Sequence, residues 1–181
     1  LDNQTIGWLA EELVAQWLMQ QGGELLQQRW FCRWGELDLV ALLQASQPTL
    51  PEQAIVQSSA QTNAQTTLAF VEVKARRESN WDLGGLLAIT PQKQQKLWKT
   101  AELFLSTYPN LAHLPCRFDV ALVQIQSVHV HAAKDVAESA DRTSLIQELT
   151  HHSPLAIGKS ISLTPCNLSL QHYLPSAFDL S

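Results

Sequence analysis

The chain has 181 residues, 45% of them apolar, which is enough for one domain with a real core and excludes wholesale disorder. A net charge of −5 excludes a protein that grips nucleic acid by overall basicity, yet nine of the twelve Lys and Arg residues fall between 29 and 117, so a polyanion would be welcome only there. No apolar run approaches the roughly 18 residues of a membrane span, and no basic stretch precedes an apolar leader, so neither a membrane nor a secretory route is expected.

In chain order, Ile6, Leu9, Leu13 and Trp17 recur at helical spacing, which predicts an amphipathic helix over 5–20 with Thr5 as its N-cap and Gly22-Gly23 ending it. Glu11 falls on the flank of its apolar face and Glu12 points away. Residues 24–31 and 35–43 read as strands. In the second, alternation puts Leu37, Leu39 and Ala41 on one face and Glu36, Asp38 and Val40 on the other. Residues 44–67 lose all periodicity and read as a long polar insertion in a hairpin connection. Residues 68–75 form a third strand, with Phe70, Glu72 and Lys74 on one face and Val71 and Val73 on the other.

After a loop containing Gly84-Gly85, residues 90–108 predict a helix with Thr90 as N-cap and Pro91 at the first helical position. Leu97, Ala101, Phe104 and Tyr108 make its buried stripe, with Gln92, Lys96 and Lys99 opposite and Lys93 beside them. Residues 116–125 are another strand, with 127–131 expected to pair with it. Residues 132–160 read as a second insertion with a helix over about 134–150, and 161–178 return to short apolar runs. The order α-β-β-β-α-β-β, in a single domain over 1–181, predicts an α/β fold: a mixed β-sheet flanked by helices, with two long insertions.

The stretch FVEVKAR, residues 70–76, carries two charges inside an apolar strand. A buried charge is costly unless it is paired or holds a metal. Asp38 lies on the strand expected beside it, so the right register would bring two carboxylates, Asp38 and Glu72, together. Without a cation, one of them would be pushed to hold a proton. With Mg²⁺ or Mn²⁺ both can ionise and ligate through oxygen. Lys74, two residues past Glu72, would face the same space, where an ammonium can hold a phosphate oxygen or orient the attacking water. Such a set suits hydrolysis of a phosphodiester, although D…ExK by itself is a common combination that also describes a solvated strand face.

Other residues stay open between two readings. Glu36 could join Asp38 or sit in solvent. Arg76, Arg77, Lys93, Lys96 and Lys99 could line a phosphate track or be an ordinary charged surface. Arg117 and Asp119 could support the site or pair locally. Trp30, Trp34 and Trp81 could stack on bases or pack in the core. His129, His131, His151 and His152 show no third partner for zinc. Cys32, Cys116 and Cys166 form no CxxC pair, which argues for reduced thiols and a cytoplasmic protein.

Five blocks, GWLAEELVAQWL (7–18), RWGELDLVA (33–41), FVEVKAR (70–76), ITPQKQQKL (89–97) and PCRFDVALV (115–123), resemble in order those of the YraN-like family. That family is assigned to the PD-(D/E)xK, restriction-endonuclease-like superfamily and is similar in its core to archaeal Holliday-junction resolvases. The resemblance implies a nuclease core in which Asp38 and Glu72 are the metal carboxylates. It further implies the carbonyl of Val73 as an additional ligand, Lys74 as the catalytic lysine and Glu11 as the helix glutamate that completes the site. It implies Mg²⁺ or Mn²⁺ as cofactor, DNA, branched or otherwise structured, as substrate, and a homodimer by analogy with resolvases. The usual Asn and Arg before the GE(I/L)D block stand here as Arg29 and Phe31, and the second small residue before the helix glutamate is Ala10 instead of Gly. The other function class compatible with these residues is a nucleic-acid-binding protein that keeps the nuclease fold without efficient turnover.

Overall fold

A computed structural model describes residues 1–44, 66–77, 89–127, 142–152, 154–163 and 166–178. Helix α1 spans Asn3–Gln20, starting two residues earlier than the sequence pattern suggests. Its N-cap is Asp2, not Thr5: the Asp2 carboxylate accepts the Thr5 N–H at 2.6 Å, and Thr5 itself lies within the first helical turn. At the other end Gly22 adopts φ +83°, the left-handed conformation that glycine takes without strain.

Strands β1 (Glu24–Cys32) and β2 (Gly35–Gln44) form an antiparallel hairpin, and β2 pairs antiparallel with β3 (Thr66–Arg77). Strand β3 therefore begins inside the segment read as insertion, and the remainder of that segment, 45–65, lies outside the described residues. So do Gly84-Gly85 and Trp81. Helix α2 (Pro91–Thr107) is capped by Thr90, whose hydroxyl accepts the Lys93 N–H, with Pro91 at the first position as expected. A short 3₁₀ turn, Pro109–Leu111, leads to β4 (Cys116–Ser127), which runs parallel to β3. Helix α3 (Arg142–Thr150) follows, then β5 (Ile161–Leu163) and β6 (Cys166–Phe178). Residues 128–131, expected to pair with β4, lie outside the described residues; the neighbours of β4 in the sheet are β3 and β6. The tail read as short apolar runs is instead the long strand β6, whose 13 residues carry the antiparallel register along β4.

Among the described residues the strands form one six-stranded mixed sheet in the order β1-β2-β3-β4-β6-β5. Its two faces bury separate apolar clusters, which is the α/β arrangement the element order implies. On one face α1 and α3 cover Leu39, Ala41, Ala69, Val71, Ala121 and Val123. Because α1 packs against both the sheet and α3, burial runs well beyond the expected stripe, taking in Trp8, Val14 and Leu18 while Trp17 stays half-buried. On the other face α2 covers Leu37, Val40, Phe70, Phe118, Val120 and Leu122. Phe104 of α2 centres this cluster, edge-on to Trp30 and Phe70 at ring separations of 5.3 and 5.8 Å. Trp30 is thus a core residue.

The central strand β3 is buried on both faces from Leu68 to Glu72, as a strand with helices above and below must be. Its alternation holds as expected, with Phe70 facing α2 and Val71 facing α1. Strand β2 departs from simple alternation. Leu37 packs with Val40 on the α2 side, whereas Leu39 and Ala41 face α1. The switch falls at Asp38. In the register of the hairpin, Gln28 opposes Leu39 and Trp30 opposes Leu37, so the residue across from Asp38 is Arg29. Arg29 has φ +55°, a left-handed conformation that is uncommon for a side chain of its size. Both strands exchange faces across this pair: Gln28 reaches Glu12 of α1, and Trp30 enters the α2 cluster.

Candidate active site

The break at Asp38 coincides with the end of the β2–β3 ladder. The last paired residues are Leu39 and Val71, and beyond them the two strands part. Asp38 spans the opening: its Oδ2 accepts the backbone N–H of Val73 at 2.7 Å, in the place a carbonyl of β2 would otherwise take. In an extended strand the N–H and C=O of one residue leave by the same edge, so the Val73 carbonyl also faces the opening. The bond to Val73 explains why a carboxylate tolerates this position despite its partial burial.

Glu72 precedes Val73 on the α2 side. It is 4% exposed, and its charge is met by two amines: Lys74 Nζ at 2.5 Å and Lys93 Nζ at 3.1 Å, both from Oε1. Lys74 reaches it because residues two apart on a strand share a face; Lys93 reaches it from the first turn of α2. Oε2 of Glu72 is buried, and no described residue gives it a hydrogen bond. Burial first, and the Glu72 charge second, raise the pKa of Asp38 from 3.8 to about 7, against the Val73 N–H and the two lysines that lower it. The acid of one strand and the ExK of the next therefore share one electrostatic site.

This donor set suits a hard divalent cation. It offers two carboxylates, one whose pKa is raised by burial and by the other's charge and one with an unsatisfied oxygen, beside a strand carbonyl. Among the described residues no group of three or more His, Cys, Asp and Glu side chains converges as a closed cage would require. A pair of carboxylates is what Mg²⁺ takes when it keeps most of its water.

Glu11 approaches from α1, on the other side of the sheet. It is buried, with Oε2 3.4 Å from Arg29 Nε, and the same nitrogen lies 3.1 Å from Glu36 Oε1. Burial opposes the charge on Arg29, but Glu11 first, then Glu36 and Asp38, outweigh it and raise its pKa. Arg29 thus pairs with both Glu11 and Glu36 and feels the charge of Asp38 more weakly, and Glu36 is an ion-pair partner, not a solvated strand end. The role of Arg29 was missed because nothing in a sequence marks a left-handed arginine; the one signal was its place where the resembled family has Asn, a residue at ease in that conformation.

The five cations of the expected track do not form one row. Lys93 belongs to Glu72. Arg76 shares the face of Lys74, and its guanidinium donates to the Ala75 carbonyl. Arg77 opposes Ile125 of the α1-side cluster and so projects from the other face. Lys96 and Lys99 are exposed on α2. Asp119 is fully buried and accepts from Arg117 Nε at 3.0 Å, Tyr173 Oη at 2.6 Å and the Ser176 N–H at 2.9 Å. Burial, followed by the Asp119 charge and hydrogen bond, raises the Tyr173 pKa. These bonds clamp the end of β6 to β4, so Asp119 braces the sheet. His151 and His152 are exposed; His129 and His131 lie outside the described residues. No described helix is long and apolar enough to cross a membrane.

Comparison with known proteins identifies the family. Residues 10–123, which hold Glu11, Asp38, Glu72, Lys74 and all of α2, match the model of "Uncharacterised protein family UPF0102". The chain is 45% identical to a UPF0102 protein of Acaryochloris marina over 98% of its own length and 92% of the relative's. It is 45% identical to one of Trichodesmium erythraeum, over 95% and 87% of the two lengths. With one of Synechocystis it shares 37% identity over 96% and 97%. The chain belongs to the UPF0102 family, the YraN-like, restriction-endonuclease-like group that its sequence blocks resemble.

Proposed function

We propose that the protein is a metal-dependent endonuclease that hydrolyses phosphodiester bonds in DNA. The observation that carries this reading is the hydrogen bond from Val73 to Asp38, which fixes the acid of β2 against the residue lying between Glu72 and Lys74. Asp38, Oε2 of Glu72 and the Val73 carbonyl would hold Mg²⁺ or Mn²⁺. A cation bound there supplies stabilisation of charge on a phosphoryl oxygen and eases deprotonation of the attacking water.

The chain's own groups do the rest. Lys74 and Lys93 bring two ammonium groups to the site, and both stay partly open to solvent, so a phosphate oxygen can meet them. Each can exchange its bond to Glu72 for one to the phosphate once the carboxylate is otherwise occupied. Asp38, whose pKa burial and the Glu72 charge raise, would give up its proton when a cation arrives. Glu11 acts at a distance, holding Arg29, the residue across the hairpin from Asp38.

The test is incubation of the purified protein with plasmid and four-way-junction DNA in Mg²⁺ or Mn²⁺, with a chelator control. Cutting that needs metal and is lost in Lys74→Ala and Asp38→Ala supports the nuclease. Salt-sensitive binding without cutting, unchanged in Asp38→Ala, would replace it with a binding protein on a nuclease fold.

A further inference from the structure

On the α2 side, next to the site but outside it, the hairpin tip and the exposed face of α2 enclose a groove of about 570 Å³. Its walls carry Arg33 and Trp34 from the turn, and Lys93, Lys96 and Lys99 from the helix, with glutamines between; among the described residues no acidic side chain lines it. In a chain of net charge −5, four cations around one groove are a local inversion of sign. The groove adjoins the acidic site at Lys93, which lines the one and bonds Glu72 of the other.

Trp34 distinguishes this groove from a simple phosphate track. It sits in the two-residue turn between Cys32 and Gly35, 40% exposed, and two cations approach its indole: Arg33 at 5.0 Å and Lys99 at 4.9 Å from the ring centroid. Its place is fixed by Gly35, which packs where a Cβ would stand 3.4 Å from Thr100 Oγ1 and adopts φ +155°, a conformation that other residues rarely take. Arg33 and Lys99 lie over the ring, so a base that displaces either of them finds a flat face for stacking, and the displaced cation stays within reach of a flanking phosphate. A paired duplex keeps its base faces covered by neighbouring pairs, so only an unstacked base can use such a face.

We infer that this groove binds a DNA strand carrying an unpaired nucleotide beside a duplex, with that base stacked on Trp34 and its flanking phosphates on Arg33, Lys96 and Lys99. The inference rests on the nucleic-acid reading above and adds the feature recognised, an unpaired nucleotide at the edge of a duplex, as in a fork or flap, in place of continuous duplex. Lys93 then marks the direction of the strand, from Trp34 toward Glu72.

The test is binding in chelator, where no cutting occurs, to a forked duplex with 2-aminopurine at the first unpaired position and to the fully paired duplex. With wild type we expect the 2-aminopurine fluorescence to be quenched on binding and the fork to bind more tightly than the duplex. Trp34→Ala should abolish the quench and weaken fork binding about tenfold while changing duplex binding less than twofold, and Trp34→Phe should keep most of both effects. Lys96→Ala with Lys99→Ala should weaken fork and duplex alike and flatten the salt dependence. Equal losses for fork and duplex in Trp34→Ala, no loss at all, or tenfold tighter binding of the matching RNA fork would overturn the proposal. The outcomes are separable from those of the nuclease test: Trp34-dependent fork preference without cutting leaves the groove standing and removes the chemistry, whereas metal-dependent cutting with a fork preference that survives Trp34→Ala does the reverse.

Discussion

Asp38 Oδ2 accepts the N–H of Val73 at 2.7 Å, two residues along β3 from the last paired position, Val71. That bond makes the acidic site part of the sheet: the side chain completes a ladder that the backbone has abandoned. It also ties the protonation state of Asp38 to the stability of the fold.

A carboxyl whose pKa rises on folding from 3.8 to about 7 is favoured in its protonated form by the native state. Its contribution to stability is therefore whole below about pH 4 and is lost as pH rises toward 7, because the folded state binds the extra proton in that window. The roughly three-unit difference bounds the loss at about 4 kcal/mol. Urea unfolding of the metal-free protein should show stability falling from pH 5 to pH 8. Asp38→Asn, which keeps an acceptor for Val73, should remove most of that fall. An unchanged pH profile in the variant would place the titration elsewhere.

Glu72 is buried with two ammonium partners on one oxygen. Losing either lysine leaves the other in place, so Lys74→Ala or Lys93→Ala alone should cost about 1 kcal/mol, in the range of a partly exposed pair. Losing both strands a buried carboxylate, and the double variant should cost about 3–5 kcal/mol. Unfolding of the four proteins in a double-mutant cycle measures the excess over additivity.

Asp119→Ala removes the acceptor for Arg117, Tyr173 and Ser176 and leaves their donors beside a small void. We expect a loss of about 3–5 kcal/mol, with the C-terminal part of β6 losing amide protection before the rest of the sheet in hydrogen exchange. Uniform loss of protection would mean that the clamp is not local.

Gly35→Ala places a methyl against Thr100 in a backbone conformation that alanine resists. A cost of about 1–3 kcal/mol, seen as a fall in Tm of several degrees, should accompany displacement of the turn that carries Trp34.

Much of this arrangement is legible in the sequence, and what is not has physical causes. Strand β3 could be read correctly, with Glu72 and Lys74 on one face, because its alternation is uninterrupted between two helical layers. Helix α2 announces itself by Thr90, Pro91 and the Leu97–Ala101–Phe104 stripe. Strand β2 could not be read by parity, since Asp38 and Arg29 together switch the faces of the hairpin, and a face switch leaves the residue types unchanged. Lys93 looks like any lysine on an exposed helix turn until α2 is docked over Glu72. Asp119 reads as an alternating strand residue, and only the return of β6 brings Tyr173 and Ser176 to it across more than fifty residues. Trp34 and Arg33 read as a turn; the approach of Lys99 comes from packing alone.

The account depends on Asp38 and Glu72 holding one divalent cation between β2 and β3. Calorimetric titration of the DNA-free protein with Mn²⁺ at pH 8 tests this directly, with circular dichroism confirming the fold of each variant. We expect one site in the wild type, weakened at least tenfold by Asp38→Asn and by Glu72→Gln. Binding of Mn²⁺ with the same affinity and stoichiometry in both variants would contradict it.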